Sequence, residues 1–142
     1  MPLTDPAQAE AIEQSLELAG ERGGDLTGRV YARLFQRQPQ MQALFWRDTD
    51  DSIKGEMLMR AFEAILDFIR ARQFADHMIQ TEVVTHAGYD VPPDVFATFF
   101  GIIAEVVEEA CGPEWSPRMA QAWRSTLAEL DRYVAHPERI TV

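Results

Sequence analysis

The sequence predicts an all-α protein with a single domain. Apolar residues recur at helical spacing along every long segment, and no segment shows the sustained apolar and polar alternation of a half-buried strand. With 142 residues, of which 46% are hydrophobic, the chain is long enough to bury one substantial core. We therefore expect one domain over residues 1–142.

Capping residues and prolines indicate where the helices begin and end. Asp, Asn, Ser and Thr side chains accept the first free amides of a helix, proline suits its first turn, and glycine suits its end. Asp48, Asp50, Asp51 and Ser52 form a polar connection that can cap the third helix. Together these signals predict helices from residue 6 to the glycines at 20–24, then over residues 25–37, 53–71, 74–86, 93–111 and 117–136, with a tight turn at 39–44.

The charge balance argues against two classes of partner. The formal net charge is −10, whereas nucleic acids and anionic lipids recruit Lys and Arg. No apolar stretch approaches the roughly 20 residues of a membrane span, and the N-terminal residues lack the basic and apolar regions of a targeting signal. We therefore expect a cytoplasmic protein that binds neither nucleic acid nor membrane.

Common catalytic and cysteine-based patterns are missing from the sequence. Cys111 is the only cysteine, so there is neither an internal disulfide nor a CxxC or CxxCH motif. No GxGxxG, GxxxxGK[ST], HExxH or GxSxG pattern occurs. Glu105, Glu108 and Glu109 are interpreted as a solvated helix face, because acid–base catalysis needs carboxylates paired in a pocket.

Four segments, taken in chain order, carry a family resemblance. They are Val30-Tyr31-Ala32-Arg33-Leu34-Phe35 leading through Pro39 to Leu44-Phe45; Lys54-Gly55-Glu56-Met57-Leu58-Met59; His86-x-x-Tyr89-x-Val91-x-Pro93; and Ala122-Trp123. Their order and spacing resemble the globin family, in particular bacterial single-domain haemoglobins and the haem domains of flavohaemoglobins, over roughly residues 10–135. The resemblance implies a globin fold of about seven to eight helices in a three-over-three sandwich around a haem pocket. It also implies non-covalent haem b as the cofactor.

His86 is the residue that the resemblance places as the proximal ligand of the haem iron. One ring nitrogen would bind iron, and the other would donate a hydrogen bond to a nearby backbone carbonyl, which fixes the ring orientation. The alternative is a capping or core histidine at a helix end. His77 and His136 are expected to be surface histidines.

The resemblance places Tyr31, Lys54 and Leu58 on the distal side. The Tyr31 phenol can donate a hydrogen bond to the partly negative oxygen of bound O₂, although a core tyrosine bonded to a carbonyl is the alternative. Lys54 departs from the family pattern, since many globins carry His or Gln there. Because a buried, unpaired ammonium is costly, we expect it to reach outward as a lid; the alternative is a neutral amine that binds ferric iron. Leu58 would limit the space above the iron.

Aromatic and apolar residues complete the implied haem pocket. Phe45 would stack against the haem face, because porphyrin is a large flat hydrophobe. Phe96 stands where flavohaemoglobins carry a tyrosine in a proximal hydrogen-bond network, so a peroxidase-like activity is disfavoured. Ordinary core packing is the alternative for Phe45 and Phe62, and Tyr89 is expected to pack in the corner after His86 without a chemical role. The implied pocket residues are Phe45, Phe62, Tyr89, Val91, Phe96 and Phe99.

The function implied by the resemblance is reversible binding of O₂, with NO and CO as further ligands. It would serve oxygen binding and delivery, or NO detoxification with a separate reductase, because NO turnover needs electrons and the sequence contains no flavin or nicotinamide domain. Whether the protein is an enzyme is left open. The alternatives are a haem-based gas or redox sensor acting through a partner, and a haem-free globin-like signalling module. Both a monomer and a homodimer are compatible with the sequence.

Overall fold

Helices make up most of the chain in the computed structural model, which describes residues 5–45, 47–70, 78–79, 81–82 and 93–135. Only the backbone is described for residues 93–97 and 133–135. No strand occurs in these ranges, so the all-α prediction is confirmed, although they contain fewer α-helices than the seven to eight expected. The α-helices are α1 (Pro6–Gly23), α2 (Thr27–Arg37), α3 (Ser52–Ile69), α4 (Pro93–Cys111) and α5 (Pro117–Ala135), with 3₁₀ helices at Pro39–Phe45 and Gly112–Glu114.

Side-chain caps set the starts of the first two helices. Asp5 Oδ1 accepts a hydrogen bond from the Ala7 amide at 3.2 Å, as its sequence position predicts. Asp25 accepts from the amide of Thr27 at 3.0 Å and from its hydroxyl at 2.6 Å. Helix α2 therefore begins at Thr27, two residues later than predicted, because Asp25 serves as a cap and lies outside the helix.

The later helices also begin and end close to the predicted residues. The Met119 amide donates to Ser116 Oγ at 3.1 Å, which caps α5. Helix α4 ends before Gly112, whose φ of +58° is a conformation that glycine adopts without steric cost. Helix α3 ends at Ile69, two residues before the predicted end.

Helix α4 lies at the centre of the packing and contacts α1, α2 and α5. Four of its aliphatic side chains are completely buried, namely Ile102, Ile103, Val106 and Val107. Adjacent positions on a helix point in different directions. Because positions 102 and 103, and also 106 and 107, are both buried, α4 is packed against neighbouring helices on more than one side. Each such side chain contributes roughly 1.5–3 kcal/mol through burial.

A buried polar junction joins α1, α4 and α5. Trp123 Nε1 donates to Ser15 Oγ at 2.8 Å, and the same hydroxyl donates to the carbonyl of Ile12 at 2.7 Å. Cys111 Sγ donates to the carbonyl of Ser15 at 3.3 Å. The only cysteine of the chain therefore packs in the core, where burial raises the pKa of its thiol.

Within the described ranges, no helix has the length and apolar character needed to cross a membrane.

Candidate functional site

A cavity of about 510 Å³ lies between α2, α3, the Pro39–Phe45 segment and α4. This volume is in the range of small-molecule and cofactor sites, and the walls are mainly apolar with a few polar groups, as is usual for such sites. Helix α2 contributes Tyr31 and Leu34, and α4 contributes Phe99 and Phe100.

Tyr31 lies in the wall of this cavity among three aromatic rings. Its side chain is buried, and its ring centroid lies 5.5 Å from Phe45, 5.5 Å from Phe99 and 6.0 Å from Phe35. These separations are typical of tilted and edge-on aromatic pairs, which hold a ring in a preferred orientation. The three phenylalanines come from α2, from the 3₁₀ segment and from α4, so Tyr31 is fixed by three elements.

The hydroxyl of Tyr31 is buried and has no hydrogen-bond partner in the described part of the chain. Leaving such a group unpaired costs about 1–3 kcal/mol, so it marks a site where a ligand can restore the bond. Burial raises the pKa of the phenol well above its ordinary value, and the negative charge of Asp48 adds to this effect. The phenol therefore stays protonated and is a neutral hydrogen-bond donor.

Four apolar residues of α3 line the cavity at helical spacing, namely Ile53, Met57, Ala61 and Ala64. Because each residue turns an α-helix by about 100°, neighbouring positions face different surroundings. Helix α3 therefore carries one apolar stripe towards the cavity and another, including Ile65 and Phe68, in the buried core.

The predicted distal residues on α3 do not line this cavity. Leu58 is buried and belongs to the core cluster, and Phe62 packs against that cluster as a partly buried side chain. The positions one residue earlier, Met57 and Ala61, are in the cavity wall instead. The cavity face of α3 thus differs from the predicted one by one helical position, and contacts of Leu58 and Phe62 with a haem stay predictions.

Lys54 is held in a cluster of two carboxylates and one aromatic ring. Its Nζ atom lies 2.9 Å from Asp48 Oδ2, 2.9 Å from Asp51 Oδ1 and 5.3 Å from the centroid of the Phe45 ring. The hydrogen bond to Asp48 is the main reason that the pKa of Lys54 is raised. The amine is thus held as an ammonium, which disfavours the neutral iron ligand considered from the sequence.

Asp48 is the most buried carboxylate of this cluster, with no exposed side-chain surface. Burial alone raises the pKa of Asp48, but hydrogen bonds from Lys54 and from two backbone amides outweigh that effect and lower the pKa overall. The amides belong to Ile53 and Lys54, and each donates to the carboxylate at 3.0 Å. Asp48 therefore caps the first turn of α3, where the helix dipole also favours a negative charge.

Asp51, at the expected capping position of α3, does not cap the helix with its side chain. Its φ of +64° is a left-handed conformation that is uncommon for residues other than glycine. Its carboxylate pairs with Lys54 and is 67% exposed. Of the acidic residues predicted as possible caps here, Asp48 accepts from the amides of Ile53 and Lys54, and Asp50 accepts from the amide of Ser52 at 3.1 Å.

Charged side chains add polar groups of both signs to the cavity lining, namely Arg47, Asp48, Glu56, Arg60 and Glu82. Arg60 lies 3.9 Å from Glu56 in a pair that is mostly exposed to solvent. The lining therefore carries two guanidinium groups and three carboxylates beside its apolar residues, and the guanidinium groups can pair with carboxylates of a bound molecule.

Three of the predicted site residues, Tyr31, Phe45 and Phe99, meet at the cavity. Lys54, Leu58 and Phe62 lie outside the cavity wall, as described above. Four further predicted site residues cannot be compared: His86, Tyr89 and Val91 are outside the described residues, as is the side chain of Phe96. Their assigned roles stay predictions.

Sequence reasoning missed Asp48, Ile53 and Met57 as cavity residues. The regular spacing of Ile53, Met57 and Ala61 is the sequence signal that could have identified this face of α3.

Comparison with known proteins identifies the family. The globin family model matches residues 28–133, which include α2, α3 and α4 and most of α5. The chain is also 25% identical over 112 residues to a protein of Aquifex aeolicus (strain VF5) named "Uncharacterized globin-like protein", covering 79% of this chain and 78% of that protein. No solved structure shows a significant match. Since the family model covers well over half of the sequence, the chain belongs to the globin family.

Proposed function

We propose that the cavity holds one non-covalent haem b and that the protein reversibly binds O₂, with NO and CO as further ligands. Membership of the globin family supports this proposal, because globins usually bind haem. The cavity fits the group in two ways: its walls are mainly apolar, and Arg47 and Arg60 lie in its lining where they can attract the propionates. Phe45 offers a ring to lie against the porphyrin.

The observation that carries the proposal is the unpartnered hydroxyl of Tyr31. Haem iron supplies the coordination position for a diatomic gas. Tyr31 supplies a neutral donor in a dry aromatic surrounding, where a hydrogen bond to a partly negative ligand is worth about 1.5–3 kcal/mol. We assign the iron-binding role to His86 from the family resemblance.

Two physiological roles follow from this chemistry: oxygen binding and delivery, or NO detoxification. The second needs a separate reductase, because no residue of the cavity supplies electrons. We place either role in the cytoplasm. Tyr31 serves both, since retention of O₂ precedes delivery as well as reaction with NO.

Visible spectroscopy of purified protein tests the proposal. Protein produced in cells supplied with a haem precursor is expected to show a Soret band, one haem per chain, and shifted bands on reduction and on CO addition. Extraction of the pigment into organic solvent distinguishes non-covalent haem from attached haem. Colourless protein that takes up no added haemin would instead support a haem-free globin-like module.

A further inference from the structure

We propose that Asp48 is a positioning residue of the gas-binding cavity, which holds the Lys54 ammonium out of the cavity and fixes the start of α3 beside Phe45. The gas-binding part of this inference rests on the proposed function. The ion-pair part concerns the protein alone and is tested without haem.

Lys54 is unusual in the composition of the chain, because it is the only lysine among thirteen Lys and Arg residues. Lysine is a compact point charge with three donors on a flexible stem, whereas arginine is a planar fork. A compact ammonium can donate to two carboxylates in different directions and still face a ring. The Lys54 contacts with Asp48, Asp51 and Phe45 have this arrangement.

The two carboxylates do not hold Lys54 equally. Asp51 is 67% exposed, so water competes for its contact, whereas the Asp48 side chain has no exposed surface. Asp48 also accepts from the amides of Ile53 and Lys54 and so is fixed by the backbone of α3. Asp48 therefore determines where the ammonium lies.

The position of the pair connects it to the cavity. Asp48 itself lines the cavity, and so do Ile53, which precedes Lys54, and Phe45, whose ring faces the Lys54 ammonium. The Asp48 amide also donates to the Phe45 carbonyl at 2.9 Å. Loss of the Asp48 charge would release a long, flexible amine at the edge of the cavity, where it would compete with Tyr31 for the ligand space.

Amine labelling tests the ion pair directly. The chain has only two kinds of amine, the N-terminus and Lys54, so acetylation at pH 8.5 followed by peptide mass spectrometry reports Lys54 with an internal reference. We expect Asp48→Asn to label Lys54 faster by about tenfold for each unit by which its pKa falls, because only the free amine reacts. Asp51→Asn is the matched control and is expected to have a smaller effect.

Equal Lys54 labelling in wild type and Asp48→Asn would overturn the proposal. Wild-type protein provides a second comparison that does not depend on a variant: Lys54 should be labelled more slowly in folded chain than in chain unfolded by urea. Equal rates in that comparison would also overturn it.

The ferric spectrum of haem-loaded protein tests the consequence for the cavity. In Asp48→Asn the released Lys54 amine should lose its proton more readily, and the neutral amine can then bind the ferric iron. We therefore expect this variant to gain a low-spin signal between pH 7 and pH 10 that wild type lacks. The double variant Asp48→Asn/Lys54→Met should lack that signal. An unchanged spectrum in Asp48→Asn, or a signal that persists in the double variant, would contradict the positioning role. If wild type binds no haem, the proposed function fails and the labelling result alone decides whether Asp48 holds Lys54.

Discussion

Tyr31 shows how one side chain can combine a polar function with an apolar setting. The three rings around it are phenylalanines, which carry no oxygen or nitrogen atom to accept a hydrogen bond. The raised pKa of Tyr31 keeps the proton on the phenol. The hydroxyl is thus a neutral donor without a partner in the described part of the chain, so a bound molecule with a hydrogen-bond acceptor at this point would restore the missing bond.

Replacement of Tyr31 by Phe tests this donor. We expect the O₂ dissociation rate to rise by about ten- to one-hundred-fold, because a hydrogen bond to a charged group is worth about 1.5–3 kcal/mol and each 1.4 kcal/mol is a factor of about ten. CO carries little charge when bound, so its dissociation rate serves as the internal control and should change much less. Equal changes for both gases would mean that Tyr31 acts only through its shape.

For Lys54, the sequence was sufficient to predict that a buried ammonium needs a partner or solvent, but not to identify the partner. The cost of burying an ammonium predicts that the amine is either paired or near solvent. The partner is Asp48, six residues earlier, with Asp51 as a second contact. Asp51 has a left-handed conformation and makes no capping bond, whereas Asp48 and Asp50 accept from the first amides of α3; sequence alone does not reveal that local geometry.

At the scale of elements, the first turn of α3 is stabilised by charged groups, so its contribution to folding stability depends on pH. Asp48 has a lowered pKa in the folded chain, so its contribution to stability is complete above the ordinary Asp pKa of about 3.9 and is lost as pH falls through the lowered value. Lys54 has a raised pKa, so its contribution is complete below about 10.4 and is lost as pH rises through the raised value.

Urea unfolding of wild type and Asp48→Asn over a range of pH measures this linkage. We expect the difference in unfolding free energy to be constant from about pH 5 to pH 9 and to shrink below about pH 4. Asp51→Asn serves as the control and should show a weaker dependence. A difference that does not change in acid would show that the Asp48 charge contributes nothing to folding.

The junction of α1, α4 and α5 makes a second prediction at this scale. Ser15→Ala removes the acceptor of the buried Trp123 Nε1 proton and should lower the unfolding free energy by about 1–3 kcal/mol. Ser125→Ala is the control, because its hydroxyl accepts from Gln121 near the surface and its loss should change stability by no more than about 0.5 kcal/mol. Similar small losses from both variants, measured by urea unfolding, would contradict the importance of the buried bond.

Ion pairs between arginines of α2 and glutamates of α4 were not predicted from the sequence. Glu105 and Glu109 were interpreted as a solvated face, yet Arg33 pairs with both of them across the helix boundary. Arg29 and Arg37 extend this row at four-residue spacing. The glutamate carboxylates are partly exposed and do face water, as predicted. Their ion-pair partners are set by the spacing of the arginines on α2, which the sequence of α4 does not reveal.

For the whole molecule, the helical class, most helix ends and the family could be predicted from periodicity, caps and motif order. Those signals are local and agree with one another. The face of α3 that lines the cavity could not be derived in the same way, because Met57 and Leu58 are both apolar and tertiary packing decides between them. Tyr31 and Phe45, which the resemblance implied as pocket residues, both line the cavity, and their roles towards a haem stay predictions.

Haem retention by histidine variants tests the central claim most directly. The chain has three histidines, so His77→Ala and His136→Ala are matched controls for His86→Ala. We titrate haemin into each purified protein and measure the Soret band and the rate of haem transfer to an acceptor protein. Wild type and both controls should bind one haem per chain and keep it, whereas His86→Ala should fail to bind it or release it much faster. Normal haem retention with an unchanged ferrous spectrum in His86→Ala would contradict the account.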